Sequence, residues 1–216
     1  MNRKYLLFDL DGTLTDSEEG ITKCVAYALE HFGIHETDQG MLRKFIGPPL
    51  MDSFMEYYGF SEEMALEATE KYRERFGKIG LFENTVYEGI PQLLAELQAS
   101  GKKLILATSK PLMYAKKIME RHGLAKYFYD MQGPEMDGTR NRKEEVVAYA
   151  LQVNHIEDVT EAVMIGDRLH DIVGARACGL DCIGVLYGFG DREELEHYGA
   201  TQIVETVEEL GRILEI

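Results

Sequence analysis

The fold of this chain is decided near its N-terminus by the stretch YLLFDLDGT, residues 5–13. Four apolar residues are followed directly by Asp9, and Asp11 and Gly12 come two and three positions later. A short apolar run that ends in turn residues is typical of a strand buried on both faces of a parallel sheet. The stretch therefore predicts a central strand with two carboxylates just beyond its carboxyl end.

Strand and helix patterns alternate along the second part of the chain. Further apolar runs predict strands at 103–107, 127–131, 162–166, 182–187 and 202–205. Residues with helical spacing lie between them and predict helices at 91–99, 111–123, 142–153, 169–178, 191–197 and 206–214. This alternation predicts an α/β fold with a doubly wound, Rossmann-like parallel sheet, which binds ligands at the carboxyl ends of its strands.

The region between the first strand and the rest of the sheet has only helical patterns. Residues 16–83 contain several runs with helical periodicity and no convincing strand. We therefore predict an all-helical subdomain at 16–83, inserted into an α/β core formed by 1–15 and 84–216.

Charge and composition exclude several classes of partner. The formal net charge is −15, which disfavours nucleic-acid binding because that requires basic surfaces. No apolar run approaches the roughly 20 residues of a membrane-spanning helix. Three cysteines without a CxxC pair indicate neither a disulfide framework nor a zinc site. We expect a cytoplasmic protein that binds neither nucleic acid nor membrane, and in which a local cation attracts any anionic substrate.

Polar residues follow several of the predicted strands. Each has an ordinary structural explanation, as a turn residue, a helix cap or an exposed charge. Together they would meet at one edge of the sheet, where carboxylates, hydroxyls and a lysine suit Mg²⁺ and a phosphoryl group. These residues are Asp9, Asp11, Thr108, Ser109, Lys143, Asp167 and Asp171.

Two other phosphate-binding patterns are absent or weak. The glycine that a P-loop needs five positions before Gly101-Lys102 is replaced by Glu96. The pair Gly188 and Gly190 follows a late strand and lacks a third glycine, so we interpret it as a loop and not a dinucleotide site.

The arrangement of these residues resembles the four motifs of the haloacid dehalogenase-like phosphatase superfamily. The first motif is the stretch from Asp9 to Asp16, and the fourth is Gly166-Asp167 with Asp171 four positions later. The helical insertion is similar to the small cap of the phosphoglycolate phosphatase-like enzymes. Arg168 and His170 depart from that pattern and look more like a branch labelled 5′-nucleotidase.

The resemblance implies a catalytic and a metal-binding role for the carboxylates. Asp9 would attack phosphorus and form an aspartyl-phosphate, and Asp11 would act as the general acid and base. Mg²⁺ would be held by the Asp9 carboxylate, the Asp11 main-chain carbonyl and Asp167. Asp171 would be a further ligand or would orient the others.

The resemblance also implies which groups bind the phosphate. Thr108 and Ser109 would bind phosphoryl oxygens, and Lys143 would offset the charge of the phosphate and of the nucleophile. Arg140 and Arg142 lie so close to Lys143 in sequence that either is an alternative for this cation.

The implied activity is hydrolysis of small phosphorylated metabolites, with phosphoglycolate first among the substrates. Alternatives are 5′-nucleotidase activity, a phosphosugar mutase similar to β-phosphoglucomutase and, more remotely, a non-catalytic or signalling phospho-acceptor domain. Arg43 and Lys44, followed by Gly47-Pro48-Pro49, combine positive charge with a stiff backbone and predict a contact to the substrate's leaving group. The sequence does not predict an oligomeric state.

Overall fold

The computed structural model describes residues 3–215. Residues 1, 2 and 216, which the sequence analysis assigns to the α/β core, lie outside the described residues. The described part contains eight strands: β1 Tyr5–Phe8, β2 Thr15–Asp16, β3 Thr85–Val86, β4 Lys103–Ala107, β5 Phe128–Gln132, β6 Ala162–Gly166, β7 Asp181–Val185 and β8 Gln202–Val204.

Ten α-helices accompany these strands in the described residues. They are α1 Glu18–His31, α2 Gln39–Arg43, α3 Leu50–Tyr58, α4 Glu62–Phe76, α5 Ile90–Ala99, α6 Leu112–Arg121, α7 Lys143–Val153, α8 Leu169–Ala177, α9 Arg192–Tyr198 and α10 Val207–Ile213.

Six of the strands form one parallel sheet, in the order β5-β4-β1-β6-β7-β8. β1 lies between β4 and β6, with Phe8 opposite both Leu106 and Ile165. All four residues of β1 are buried, as expected for a strand covered on both faces. The predicted α/β fold with a doubly wound parallel sheet is therefore confirmed.

The core on one face of the sheet forms where α7 and α8 pack. Leu7, Ile105 and Met164 project from adjacent strands into the same buried cluster as Val147 of α7 and Ile172 of α8. Side chains alternate along a strand, so the neighbouring residues of β1 and β4 are buried on the opposite face. Both faces thus contribute apolar burial that keeps β1 at the centre of the sheet.

The chain divides into two compact units. One unit combines the residues before Ser17 with those after Thr85, and the other is Ser17–Thr85. The second unit contains α1 to α4, and its interior includes closely spaced aromatic rings: the Phe45 and Phe54 centroids are 4.9 Å apart. The sequence analysis missed β2 and β3, because two residues are too few to show a strand periodicity.

No helix within residues 3–215 is both long and apolar enough to cross a lipid bilayer.

Two methionines give a matched test of this core. Met164 of β6 is fully buried, whereas Met113 of α6 is 45% exposed. Met164→Ala should lower the free energy of unfolding by roughly 2–5 kcal/mol, because it removes buried contacts and leaves a cavity. Met113→Ala should change it by less than about 0.5 kcal/mol. Urea unfolding monitored by circular dichroism measures both, and equal losses would contradict the placement of β6 in the core.

Candidate active site

The turn after β1 places the first carboxylate at the edge of the sheet. The backbone N–H of Asp9 donates to the carbonyl of Ile165, which continues the pairing with β6 for one residue (2.9 Å). Gly12 then takes a positive φ of 80°, and its N–H donates to the carbonyl of Thr15 (2.8 Å). A Cβ atom at Gly12 would collide with the Asp167 carboxylate. Glycine is therefore required here both by the backbone and by the close approach.

The turn after β6 supplies two more carboxylates. Asp171, in the first turn of α8, accepts hydrogen bonds through Oδ2 from the N–H groups of Asp167 and Arg168, each at 3.1 Å. This side chain therefore closes the turn that carries Asp167. Oδ2 of Asp167 accepts a hydrogen bond from the N–H of Phe189 at 2.7 Å.

These turns bring three buried carboxylates together. Asp9, Asp167 and Asp171 each offer a carboxylate oxygen, and these oxygens lie within 4.8 Å of one another. The sheet geometry explains the proximity, because β1 and β6 are adjacent and parallel and both end at this edge.

Lys143 is the cation beside this group. Its Nζ lies 2.8 Å from Oδ1 of Asp9 and 2.7 Å from Oδ1 of Asp171, and it donates a hydrogen bond to the carbonyl of Ala107 (2.9 Å). Arg140 instead pairs with Glu135 (2.6 Å), and the Arg142 side chain is 77% exposed. Of the three cations considered from sequence, the structure thus brings Lys143 to Asp9.

Burial makes the charge of the group costly. When every member is ionised, the three carboxylates and the Lys143 ammonium carry a net charge of −2. Burial, with the neighbouring Asp171 and Asp9, raises the pKa of Asp167 well above its usual range. Burial likewise raises the pKa of Asp171 to about 6, although Lys143 opposes the shift. Burial also disfavours the charged form of Lys143, but Asp171 and Asp9 outweigh that effect and raise its pKa.

The donor set fits a hard divalent cation. Oδ1 of Asp167 is buried and has no hydrogen-bond partner among residues 3–215, so it is available to a ligand. The three candidate ligands are all carboxylates, and a divalent ion would balance the net charge of the ionised group. The Asp11 carboxylate is not part of this group, and its Oδ2 lies 2.9 Å from Nζ of Lys110. The sequence analysis predicts that the main-chain carbonyl of Asp11, and not its side chain, binds the metal. That contact stays a prediction.

Thr108 and Ser109 follow β4 at the same edge of the sheet. Thr108 is buried, and its Oγ1 accepts a hydrogen bond from the N–H of Lys110 (3.2 Å). Ser109 is half-buried. The structure thus places both hydroxyls after the strand that neighbours β1, and their contact with a phosphoryl group stays a prediction.

Sequence reasoning missed the role of the loop after β7. A Cβ atom at Gly188 or Gly190 would collide with the backbone or side chain of Asp167, so both glycines let the loop close over that residue. Phe189 between them donates the hydrogen bond to the Asp167 carboxylate. The glycine pair was noticeable in the sequence, but nothing there linked it to Asp167.

Arg168 and His170 flank the turn in different ways. Nε of Arg168 donates to Oε1 of Glu194 (2.9 Å), and the same oxygen accepts the N–H of Leu169 (2.7 Å), which ties the turn to α9. His170 is half-buried, and burial and the nearby Arg168 charge lower its pKa.

Arg43, the predicted leaving-group contact, lies at the end of α2 in the helical unit. Its Nε is 2.7 Å from Oε1 of Glu18 in the same unit. Its contact with a substrate stays a prediction.

Comparison with known proteins identifies the family. The family model described as haloacid dehalogenase-like hydrolase matches residues 6–185. The chain belongs to the haloacid dehalogenase-like hydrolases. The predicted family and enzyme class, a phosphoric monoester hydrolase, are thereby confirmed at the level of the family.

Individual relatives of this hydrolase carry several names. A protein of Pseudomonas aeruginosa named 5′-nucleotidase is 46% identical over 97% of this chain and 95% of its own length. Mycobacterium tuberculosis tyrosine-protein kinase PtkA is 35% identical over 99% of this chain and 73% of its own length. A phosphoglycolate phosphatase of Vibrio parahaemolyticus is 27% identical over 99% of this chain and 96% of its own length.

A solved structure also resembles this hydrolase closely. The crystal structure of a predicted phosphatase from Clostridium acetobutylicum is 50% identical, covers 100% of both chains and superposes with a TM-score of 0.96. This agreement extends over the whole chain and confirms the fold class.

The buried charge predicts how the metal-free hydrolase responds to pH. A raised carboxylate pKa means that the folded chain binds a proton more tightly than the unfolded chain does. For Asp171, the free energy of unfolding should therefore rise as the pH falls from about 6 to 3.8. It should be lowest at a pH above about 6. Asp167→Asn replaces a carboxyl group whose ionisation is costly with a neutral amide, so with chelator at pH 7.5 it should raise the melting temperature by about 2–4 °C per kcal/mol gained.

Differential scanning fluorimetry with EDTA or with Mg²⁺ tests this expectation. Mg²⁺ should stabilise the unaltered protein and have no effect on Asp167→Asn. The exposed Asp52→Asn is the matched control and should behave as the unaltered protein. With EDTA, a melting temperature of Asp167→Asn below that of the unaltered protein would contradict the role of Asp167 as a buried, costly carboxylate. An undiminished rise in its melting temperature with Mg²⁺ would contradict its role in holding the metal.

Proposed function

We propose that this chain is a Mg²⁺-dependent phosphatase that hydrolyses small phosphate monoesters through an aspartyl-phosphate on Asp9. The observation that carries the proposal is the buried group of Asp9, Asp167 and Asp171 with Lys143 beside it. A bound Mg²⁺ would supply the charge that draws a phosphoryl group to these carboxylates. Asp9, Asp167 and Asp171 would hold it, with the Asp11 main-chain carbonyl.

The proposed reaction has two steps. In the first, a carboxylate oxygen of Asp9 attacks phosphorus, the bond to the leaving oxygen breaks, and Asp11 gives that oxygen a proton. In the second, water attacks phosphorus and gives its proton to Asp11, the bond to Asp9 breaks, and inorganic phosphate leaves. Lys143 faces the Asp9 carboxylate and offsets charge during both steps. Thr108 and Ser109 donate to the phosphoryl oxygens.

Nucleoside 5′-monophosphates are the substrate class that the comparisons favour. The relative with 46% identity is named 5′-nucleotidase, whereas the phosphoglycolate phosphatase is 27% identical. Arg168 and His170 favour the same branch. We therefore place nucleotides before phosphoglycolate, which is the reverse of the order that the sequence alone favoured.

Two variants separate the proposed roles of the first motif. Asp9→Asn should abolish turnover of p-nitrophenyl phosphate, because the nucleophile is lost. Asp11→Asn should slow it by roughly 10²–10⁴-fold, because only proton transfer is lost. The Mg²⁺-induced rise in melting temperature should survive in Asp11→Asn, whose side chain is outside the carboxylate group.

Chelation and trapping complete this test. EDTA should stop the reaction, and excess Mg²⁺ should restore it. Mass spectrometry of peptides from the quenched reaction should find the phosphoryl group on Asp9. Turnover that is indifferent to EDTA, or phosphate found on Asp167, would overturn the proposal.

A panel of phosphate esters measures the substrate preference. We expect the highest kcat/KM for a nucleoside 5′-monophosphate, with lower values for phosphoglycolate and β-glucose 1-phosphate. If Arg43 contacts the leaving group, Arg43→Ala should lower kcat/KM for the preferred ester about tenfold, the effect of roughly 1.4 kcal/mol. Glu18→Gln is the matched control, because it removes the same ion pair and keeps the cation.

The panel also tests the remaining alternatives. Conversion of β-glucose 1-phosphate to an isomer without release of phosphate would indicate a mutase. An unchanged kcat/KM in Arg43→Ala would show that this residue has a structural role only.

A further inference from the structure

A second lysine forms a buried ion pair with the proposed general acid and base. Nζ of Lys110 lies 2.9 Å from Oδ2 of Asp11, and the two side chains are only 6% and 11% exposed. Removing both charges from water costs energy that the pairing does not always return. Stability alone therefore does not explain a buried ion pair at this position.

The backbone on both sides of this pair is held in place. The N–H of Lys110 donates to Oγ1 of Thr108, and Gly133 packs so closely that a Cβ there would lie 2.7 Å from the Lys110 carbonyl oxygen. On the other side, Gly12, next to Asp11, donates its N–H to the carbonyl of Thr15. The adjacent parallel strands β4 and β1 carry the two turns. The ion pair thus joins two constrained turns.

The two lysines of the site form ion pairs with different carboxylates. Lys143 contacts Asp9 and Asp171, which belong to the metal-binding group, whereas Lys110 contacts Asp11, which does not. Oδ1 of Asp11 is buried and has no hydrogen-bond partner among the described residues. The Lys110 contact therefore fixes one oxygen of Asp11 and leaves the other available for proton transfer.

We propose that Lys110 is a positioning residue that holds the Asp11 carboxylate in its reactive orientation. This inference rests on the proposed function, in which Asp11 exchanges protons with the leaving oxygen and with water. Lys110 also faces the negative charge that Asp11 carries once it has given up its proton. Its effect on the reaction passes through Asp11, so it should vanish when Asp11 cannot transfer a proton.

A double-mutant cycle measures this dependence. With p-nitrophenyl phosphate and saturating Mg²⁺, Lys110→Met should lower kcat about 100-fold, the lower end of what general acid–base catalysis contributes, and leave KM within about threefold. Lys110→Arg should recover most of kcat, because it restores a cation. In the Asp11→Asn background, Lys110→Met should cause no further loss. Lys103→Met, at the opposite end of β4, is the matched control and should keep full activity.

The outcomes separate this inference from the proposed function. An unaltered protein that hydrolyses no ester of the panel would refute the proposed function. If it is active, an equal loss from Lys110→Met in both backgrounds would show that Lys110 acts independently of Asp11 and would overturn the inference. Weaker inhibition by inorganic phosphate in Lys110→Met would indicate direct phosphate binding and would also overturn it. If Lys110→Met does not fold, Lys110→Gln takes its place in the cycle.

Discussion

The concentration of negative charge at the carboxyl edge of the sheet is the constraint on which the rest of this structure depends. Asp9, Asp167 and Asp171 are buried with carboxylate oxygens within 4.8 Å of one another, and Lys143 is the cation that the structure places beside Asp9 and Asp171. Buried like charges raise one another's pKa and destabilise the fold unless a cation compensates them. The same excess of charge would attract a divalent ion, and in the proposed function that ion would attract a phosphoryl group.

Close packing of the backbone makes this concentration possible. β1 and β6 are adjacent and parallel, so residues just beyond their ends arrive side by side. Gly12, Gly188 and Gly190 then bring main chain against Asp167 where any side chain would collide. As a result, the N–H of Phe189 donates a hydrogen bond to Oδ2 of Asp167, and Oδ1 is left available to a ligand. The glycines thus act on the chemistry by fixing the orientation of a carboxylate.

Two separate ion pairs divide the site into two parts. Lys143 lies with the carboxylates that would hold the metal, and Lys110 lies with Asp11, whose proposed work is proton transfer. This division matters because a nucleophile must stay ionised, whereas an acid and base must change its charge during each cycle. Separate cations allow the two carboxylates to respond to different surroundings although only one residue lies between them in sequence.

The sequence by itself determined the family, the fold class, most strands and helices, and the residue types available at the sheet edge. Apolar periodicity reflects burial directly, and the spacing around Asp9 and Asp167 is local. The sequence could not choose among Arg140, Arg142 and Lys143, because all three are cations within four residues. The start of α7 decides which of them faces Asp9. The sequence also missed Lys110 and the glycine loop over Asp167. Those contacts join turns that follow different strands, so only the tertiary structure decided them.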